Sequence, residues 1–154
     1  MYKRQIEGDG TTCLALAEAV ADGNGEQRDR YFRAACDSSE PSGCYLAGVS
    51  IMNTEPKRAA ELFERGCSSD PPEQSSCGMI AWFQYQSTSD AEIRATAVKK
   101  LSGSCDAGFA EACFRLSKID ASSSSALIDR ACALDEKRCD YFRAADQVDE
   151  KSSN

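Results

Sequence analysis

The residues of this chain best equipped for chemistry are its nine cysteines, at positions 13, 36, 44, 67, 77, 105, 113, 132 and 139 of 154. Thiols at such density are tolerated when they are oxidised in pairs or bind metal, and a few thiols elsewhere serve as redox nucleophiles. Zinc, iron–sulfur and dithiol redox sites favour closely spaced thiols, Cys-x-x-Cys above all. No Cys-x-x-Cys is present, and histidine is absent altogether. The missing imidazole removes the usual general base, the common proton shuttle and the nitrogen ligand of mixed zinc sites. No metal and no cofactor is therefore expected, which leaves disulfides as the natural use of the cysteines.

Two local patterns alternate around them. The first ends in Cys: Tyr31-Phe32-Arg33-Ala34-Ala35-Cys36, Leu62-Phe63-Glu64-Arg65-Gly66-Cys67, Lys100-Leu101-Ser102-Gly103-Ser104-Cys105 and Leu127-Ile128-Asp129-Arg130-Ala131-Cys132. Phe32, Phe63, Leu101 or Ile128 stands four residues before the Cys, and Ala35, Gly66, Ser104 or Ala131 directly before it. This describes an amphipathic helix with a crowded end. The second pattern opens with Cys13, Cys44, Cys77, Cys113 or Cys139, and four residues on stands Ala17, Gly48, Ala81 or Ser117; only the last copy departs, with Arg143. A small side chain there lets two helices approach closely.

Helix-start signals fall between the patterns. Thr54 precedes Pro56, Asp70 precedes Pro71 with Glu73 beyond, and Ser89-Asp90-Ala91-Glu92 has capping-box form. The run Ser122–Ser125 reads as a serine-rich cap and first turn of a shortened helix. Strand-like alternation is missing, so the chain reads as all-α, about nine helices on short polar loops. Helix pairs are expected near 11–36, 41–67, 73–105 and 107–132, with a final helix from about 136. The opening cysteines recur at 31, 33, 36 and 26 residues, the period of helix pairs that stack into an α/α right-handed superhelix.

The paired motifs, for example Ala59-Ala60-Glu61-Leu62-Phe63-Glu64-Arg65-Gly66-Cys67 and Gly43-Cys44-Tyr45-Leu46-Ala47-Gly48, resemble the Sel-1-like repeat. The likeness is to its cysteine-rich bacterial branch, which includes the Helicobacter cysteine-rich proteins and is related to tetratricopeptide solenoids. It covers nearly all of Gly8 to about Asp149. It departs in its irregular repeat length and in lacking the glycine-rich loop usual after the first helix. The implied organisation is a repeat solenoid over residues 6–150 with a disordered tail at 151–154.

Pairing each helix-ending Cys with the next helix-opening one gives Cys36–Cys44, Cys67–Cys77, Cys105–Cys113 and Cys132–Cys139. Each pair spans a short turn between antiparallel helices, where Cα atoms about 4.4 to 6.8 Å apart can be bridged. Disulfides imply an oxidising space, so the chain is expected in the periplasm or outside the cell. The opening Tyr2-Lys3-Arg4-Gln5 resembles translated sequencing-adapter sequence, so residues 1–5 are expected to be a non-native start. The native chain would then begin near Ile6, its signal peptide lost. Cys13 falls outside the four pairs; the same truncation is expected to have removed a mate that would sit at position 5, now Gln5.

Relatives in the resembled family have been linked to penicillin binding and weak β-lactam hydrolysis. A serine acyl-enzyme would need Ser-x-x-Lys, Gly-x-Ser-x-Gly or a histidine base, and none is present. Paired carboxylates such as Asp146, Asp149 and Glu150 read more simply as a polar helix face or tail, and no phosphate-cradling glycine loop occurs. No catalytic residue is expected.

Binding is the class that remains. Five residues after the opening Cys stand Glu18, Val49, Trp82 and Lys118, four chemistries at one repeat position. That row is read as the concave recognition face, with Trp82 its anchor and Tyr85 and Phe83 nearby. The competing reading puts these aromatics in the core between repeats. Arg115 and Lys118 are candidates to read an acidic partner, or else plain solvated surface. With 25 acidic against 18 basic residues the net charge is −7, which disfavours nucleic acid as a partner. No apolar run approaches a membrane span. The expected function is protein or peptide binding; a penicillin-recognising enzyme and a structural spacer of an envelope protein are the alternatives.

Overall fold

The computed structural model describes residues 10–20 and 24–152; the suspected non-native start at 1–5, Gln5 included, lies outside them. Among the described residues the chain is helical throughout: α1 (Gly10–Ala19), α2 (Gly25–Asp37), α3 (Pro41–Ile51), α4 (Pro56–Cys67), α5 (Gln74–Ser87), α6 (Ala91–Asp106), α7 (Ala110–Ser117), α8 (Ser124–Leu134) and α9 (Cys139–Ser152). Single 3-10 turns, Ala121–Ser123 and Glu136–Arg138, precede α8 and α9. α9 runs through Ser152, so helix covers part of the expected tail. The chain divides into two compact units, one ending at Ile80 and one beginning at Ala81.

Consecutive helices pack in pairs, α1 on α2, α2 on α3 and α3 on α4 in the first unit, then α6 on α7, α7 on α8 and α8 on α9 in the second. Disulfides Cys36–Cys44, Cys67–Cys77, Cys105–Cys113 and Cys132–Cys139 close the turns, with Cα atoms 4.4, 4.7, 4.8 and 4.5 Å apart. Cys13 stands outside the four bridges and is fully buried against Ala34 and Ala35.

That closeness dictates the residues beside the bridges. In front of Cys36 and Cys44 stand Ala35 and Gly43, and a Cβ on Gly43 would lie 2.5 Å from the Ala35 Cβ and 2.7 Å from the backbone nitrogen of Cys36. A Cβ on Gly66 would lie 2.3 Å from the Ser76 Oγ. The matching residues of the third junction, Ser104 and Ala112, are both buried. The small residues four after the opening Cys serve a second approach: Ala17, Ala81 and Ser117 are buried, and a Cβ on Gly48 would meet the Phe63 ring edge at 2.6 Å. Phe63, Leu101 and Ile128 fill the core as their common position suggests, but Phe32 is only half-buried and its neighbour Tyr31 takes the inward place at 6% exposure.

The two eight-residue junctions share one turn. Glu40 and Phe109 donate backbone N–H groups to Ala35 and Ser104 at 3.0 Å, which requires a left-handed residue three after the cysteine. Gly108 fills it with φ +98°, Ser39 with φ +65°.

The helix starts depart from expectation in detail. Glu73, not Asp70, caps α5, its carboxylate accepting from Ser75 N (3.1 Å) and Ser76 N (2.7 Å), and the Asp70–Pro71 peptide is cis. The α6 cap is Asp90 rather than Ser89, accepting from Glu92 N and Ile93 N at 2.9 and 3.0 Å, because a carboxylate one residue closer reaches both orphan donors. Thr54 closes α3 instead of opening α4, its hydroxyl donating to Ile51 O. The serine run is capped from outside by Asp120, which accepts from Ser122 N at 3.0 Å; hydroxyl hydrogen bonds from Ser122 and Ser123 hold its carboxyl below the usual range.

Two substitutions should move stability in opposite directions. Gly43→Ala gains about 1 kcal/mol of helix propensity but overpacks against backbone at a cost of about 1–3 kcal/mol, so thermal unfolding should shift down. Ser39→Gly removes left-handed strain of about 1–2 kcal/mol at an entropic cost of about 0.5–1 kcal/mol, and should raise the midpoint slightly. Calorimetry of the oxidised variants checks both.

Candidate functional site

The candidate residues fall in both units. In the first, Glu18 is exposed on α1 and Val49 is 36% exposed on α3. The second unit holds Trp82, Tyr85, Arg115 and Lys118, and there the side chains converge.

Trp82 and Tyr85, one helical turn apart on α5, stack with ring centroids 6.1 Å apart and planes 11° from parallel. Both are half-buried, as is Phe83, and Trp82 packs against a core that includes Leu101, Phe114, Ile128 and Phe142. Trp82 therefore contributes to the core, as the competing reading has it, while remaining partly exposed.

Cations cover the stack at both ends. The Arg94 guanidinium lies 4.8 Å from the Tyr85 centroid and is held by Nε donating to Thr88 O at 2.7 Å. Arg115 lies 5.0 Å from the Trp82 centroid and 5.7 Å from that of Phe114. Such contacts are worth about 0.5–1 kcal/mol exposed and about 2 when desolvated.

Arg115 is placed by a residue that no motif singled out. Glu111, buried on α7 with its side chain 6% exposed, receives Arg115 on one oxygen and Arg138 on the other, each at 2.7 Å. Arg138 extends the series, 5.2 Å from the Tyr141 ring and 5.0 Å from that of Phe142. Glu111 and Arg115 are an i,i+4 pair that periodicity makes visible. Arg138 comes from 27 residues away, and nothing local announces it.

Lys118 is spent in the same way. Its Nζ donates to Ala145 O at 2.9 Å, lies 3.7 Å from Asp146 and stands 5.2 Å from the Phe114 centroid. With side chains 21% and 17% exposed, Arg115 and Lys118 are structural first, their charges neutralised within the unit. Asp146 also accepts from the Ser124 hydroxyl at 3.2 Å, which gives it a holding role; the side chains of Asp149 and Glu150 lie outside those described.

No group of three or more acidic or cysteine residues among those described is arranged to hold a metal ion, and no described helix is long and apolar enough to cross a membrane. The chain matches no protein-family model, and neither the curated proteins nor the solved structures include a match to it.

Glu111→Gln should therefore act well beyond its own turn. It removes the charge that two guanidinium groups share, costing about 1–3 kcal/mol after discounting for their partial exposure. Trp82 is the only tryptophan and lies under Arg115, so its emission should shift in the folded variant. Unchanged stability and emission would show that Glu111 organises nothing.

Proposed function

We propose that this chain is an extracytoplasmic protein-interaction module of the cysteine-rich Sel-1-like repeat type, working in the periplasm or outside the cell. The observation that carries the reading is the Trp82–Tyr85 stack: a flat aromatic surface fixed on a packed core, partly open to solvent and flanked by Arg94 and Arg115. Tryptophan, tyrosine and arginine are the residues that dominate binding energy where proteins meet. Held in place beforehand, they lose little side-chain entropy on binding. The four disulfides support the oxidising compartment, and the repeat motifs support the family.

A hydrolytic role has less support. The buried serines Ser76 and Ser104 have Oγ atoms with no hydrogen-bond partner among the described residues, hence no base to activate them.

Affinity capture from periplasmic extract, with the oxidised protein as bait, tests the reading. A specific prey should be retained by the wild type and weakened at least tenfold by Trp82→Ala, about 2 kcal/mol for an anchor residue, while Val49→Ala and Glu18→Ala report whether the first unit contributes. Retention unaffected by Trp82→Ala would remove the aromatic stack from the interface. Turnover of a chromogenic β-lactam by pure protein, well above buffer, would favour an enzyme instead.

A further inference from the structure

The four disulfides are not equally open to a nucleophile. In Cys36–Cys44 and Cys105–Cys113 no cysteine is more than 4% exposed. Cys67 and Cys77 are both half-buried; in the last bridge Cys139 is half-buried and Cys132 is 9% exposed. Thiol–disulfide exchange needs access to a sulfur, and Cys67–Cys77 and Cys132–Cys139 are the bridges whose cysteines are the more exposed.

A cation distinguishes these two. Arg143 Nε donates to Cys139 Sγ at 3.4 Å. Arg143 occupies the position four after the opening cysteine, where the earlier copies have Ala17, Gly48, Ala81 and Ser117; at Cys67–Cys77 the Cys77 Sγ lies instead 3.7 Å from Cys67 O. Asp129 orients the guanidinium at 3.0 Å and is its acidic neighbour. In exchange, the attacking thiolate spreads its negative charge over three sulfurs in line. A guanidinium beside one of them stabilises that charge.

We propose that Cys132–Cys139 is a thiol–disulfide exchange site, the bridge through which a dithiol reductant, small or carried by an oxidoreductase, acts on this protein. The reductant's thiolate attacks Sγ of Cys139, the more exposed cysteine of the pair. A mixed disulfide forms, the bond to Cys132 breaks, and Cys132 leaves with the electron pair and takes up a proton. The reductant's second thiolate then attacks its own sulfur of the mixed disulfide, releasing Cys139 as a thiolate beside Arg143. The protein gains two electrons and the reductant closes to a disulfide. The helix that carries Cys139 keeps its hold meanwhile, since Phe142 is fully buried and Ala145 O accepts from Lys118. The turn over 135–138 stays tied as well, through Arg138 on Glu111 at 2.7 Å, so opening the bridge leaves the unit folded.

Limited reduction tests this on the intact oxidised chain. Dithiothreitol is added at low concentration under native conditions, samples are quenched with an alkylating agent, and labelled cysteines are mapped by mass over time. Cys132 and Cys139 should be labelled first, with Cys67 and Cys77 following and the two buried bridges last. Arg143→Gln should slow opening of Cys132–Cys139 about three- to tenfold, the size expected for one nearby charge at a partly exposed site. Arg143→Lys should restore most of the rate and Asp129→Asn should raise it. About 1 M salt should shrink the difference between wild type and Arg143→Gln, since its screening length is about 3 Å. Cys67–Cys77 is the internal control, and its rate should not move. Prior opening of Cys67–Cys77 would overturn the proposal. So would an Arg143→Gln effect equal at both bridges, which marks general loosening, or no effect at either.

Discussion

Everything in this fold follows from how closely successive helices are drawn together at their ends. At each bridge the Cα atoms stand 4.4 to 4.8 Å apart, the short end of the span a disulfide allows. Backbone at that distance leaves no space for side chains beyond the smallest, so Ala35 faces Gly43, Gly66 faces Ser76 and Ser104 is matched by Ala112. The bridges and the small residues are one device. Each closes a loop of under a dozen residues, worth roughly 2 to 3 kcal/mol in the chain-entropy account, and they compensate for cores made of many alanines and few large side chains.

The second unit adds a different kind of support. From Arg94 through Tyr85, Trp82, Arg115 and Glu111 to Arg138, Tyr141 and Phe142, cations alternate with rings and share a buried carboxylate. Short α7 supplies Glu111, Phe114 and Arg115, so eight residues connect the core to the surface. The same contacts that hold Trp82 leave part of it in water. One set of side chains there both closes the core and forms the surface, which holds that surface stiff. The buried carboxylate within this patch, Glu111, is paired on both oxygens.

Local signals were legible where the chemistry is local. The cysteine rhythm, the small residues beside it and the inward Phe63, Leu101 and Ile128 express contacts that recur in most copies, so comparing copies exposes them. Cap identities were less legible. Ser89 and Asp90, or Asp70 and Glu73, both offer acceptor oxygens within a few residues, and which one caps depends on where the preceding turn ends. Tyr31 displaces Phe32 inward for a similar reason: adjacent aromatics differ by 100° of helix rotation, and only the neighbouring helices select between them.

The sequence by itself determined the helical class, the positions of the helices and the residues that meet at each junction, because a period of helix pairs and a cysteine at each end leave little choice of pairing. Only the tertiary structure decided what the polar residues do. Arg115 and Lys118 have the composition of a basic recognition surface, yet they are occupied by Glu111, Asp146 and a backbone carbonyl. Arg138 and Arg143 look like ordinary solvated residues, yet one completes a buried ion cluster and the other lies against a sulfur. Apolar residues declare themselves by periodicity, since burial requires them on one face. A long charged side chain can reach several partners from one backbone position, and the choice among them rests on distances that exist only after the helices have packed.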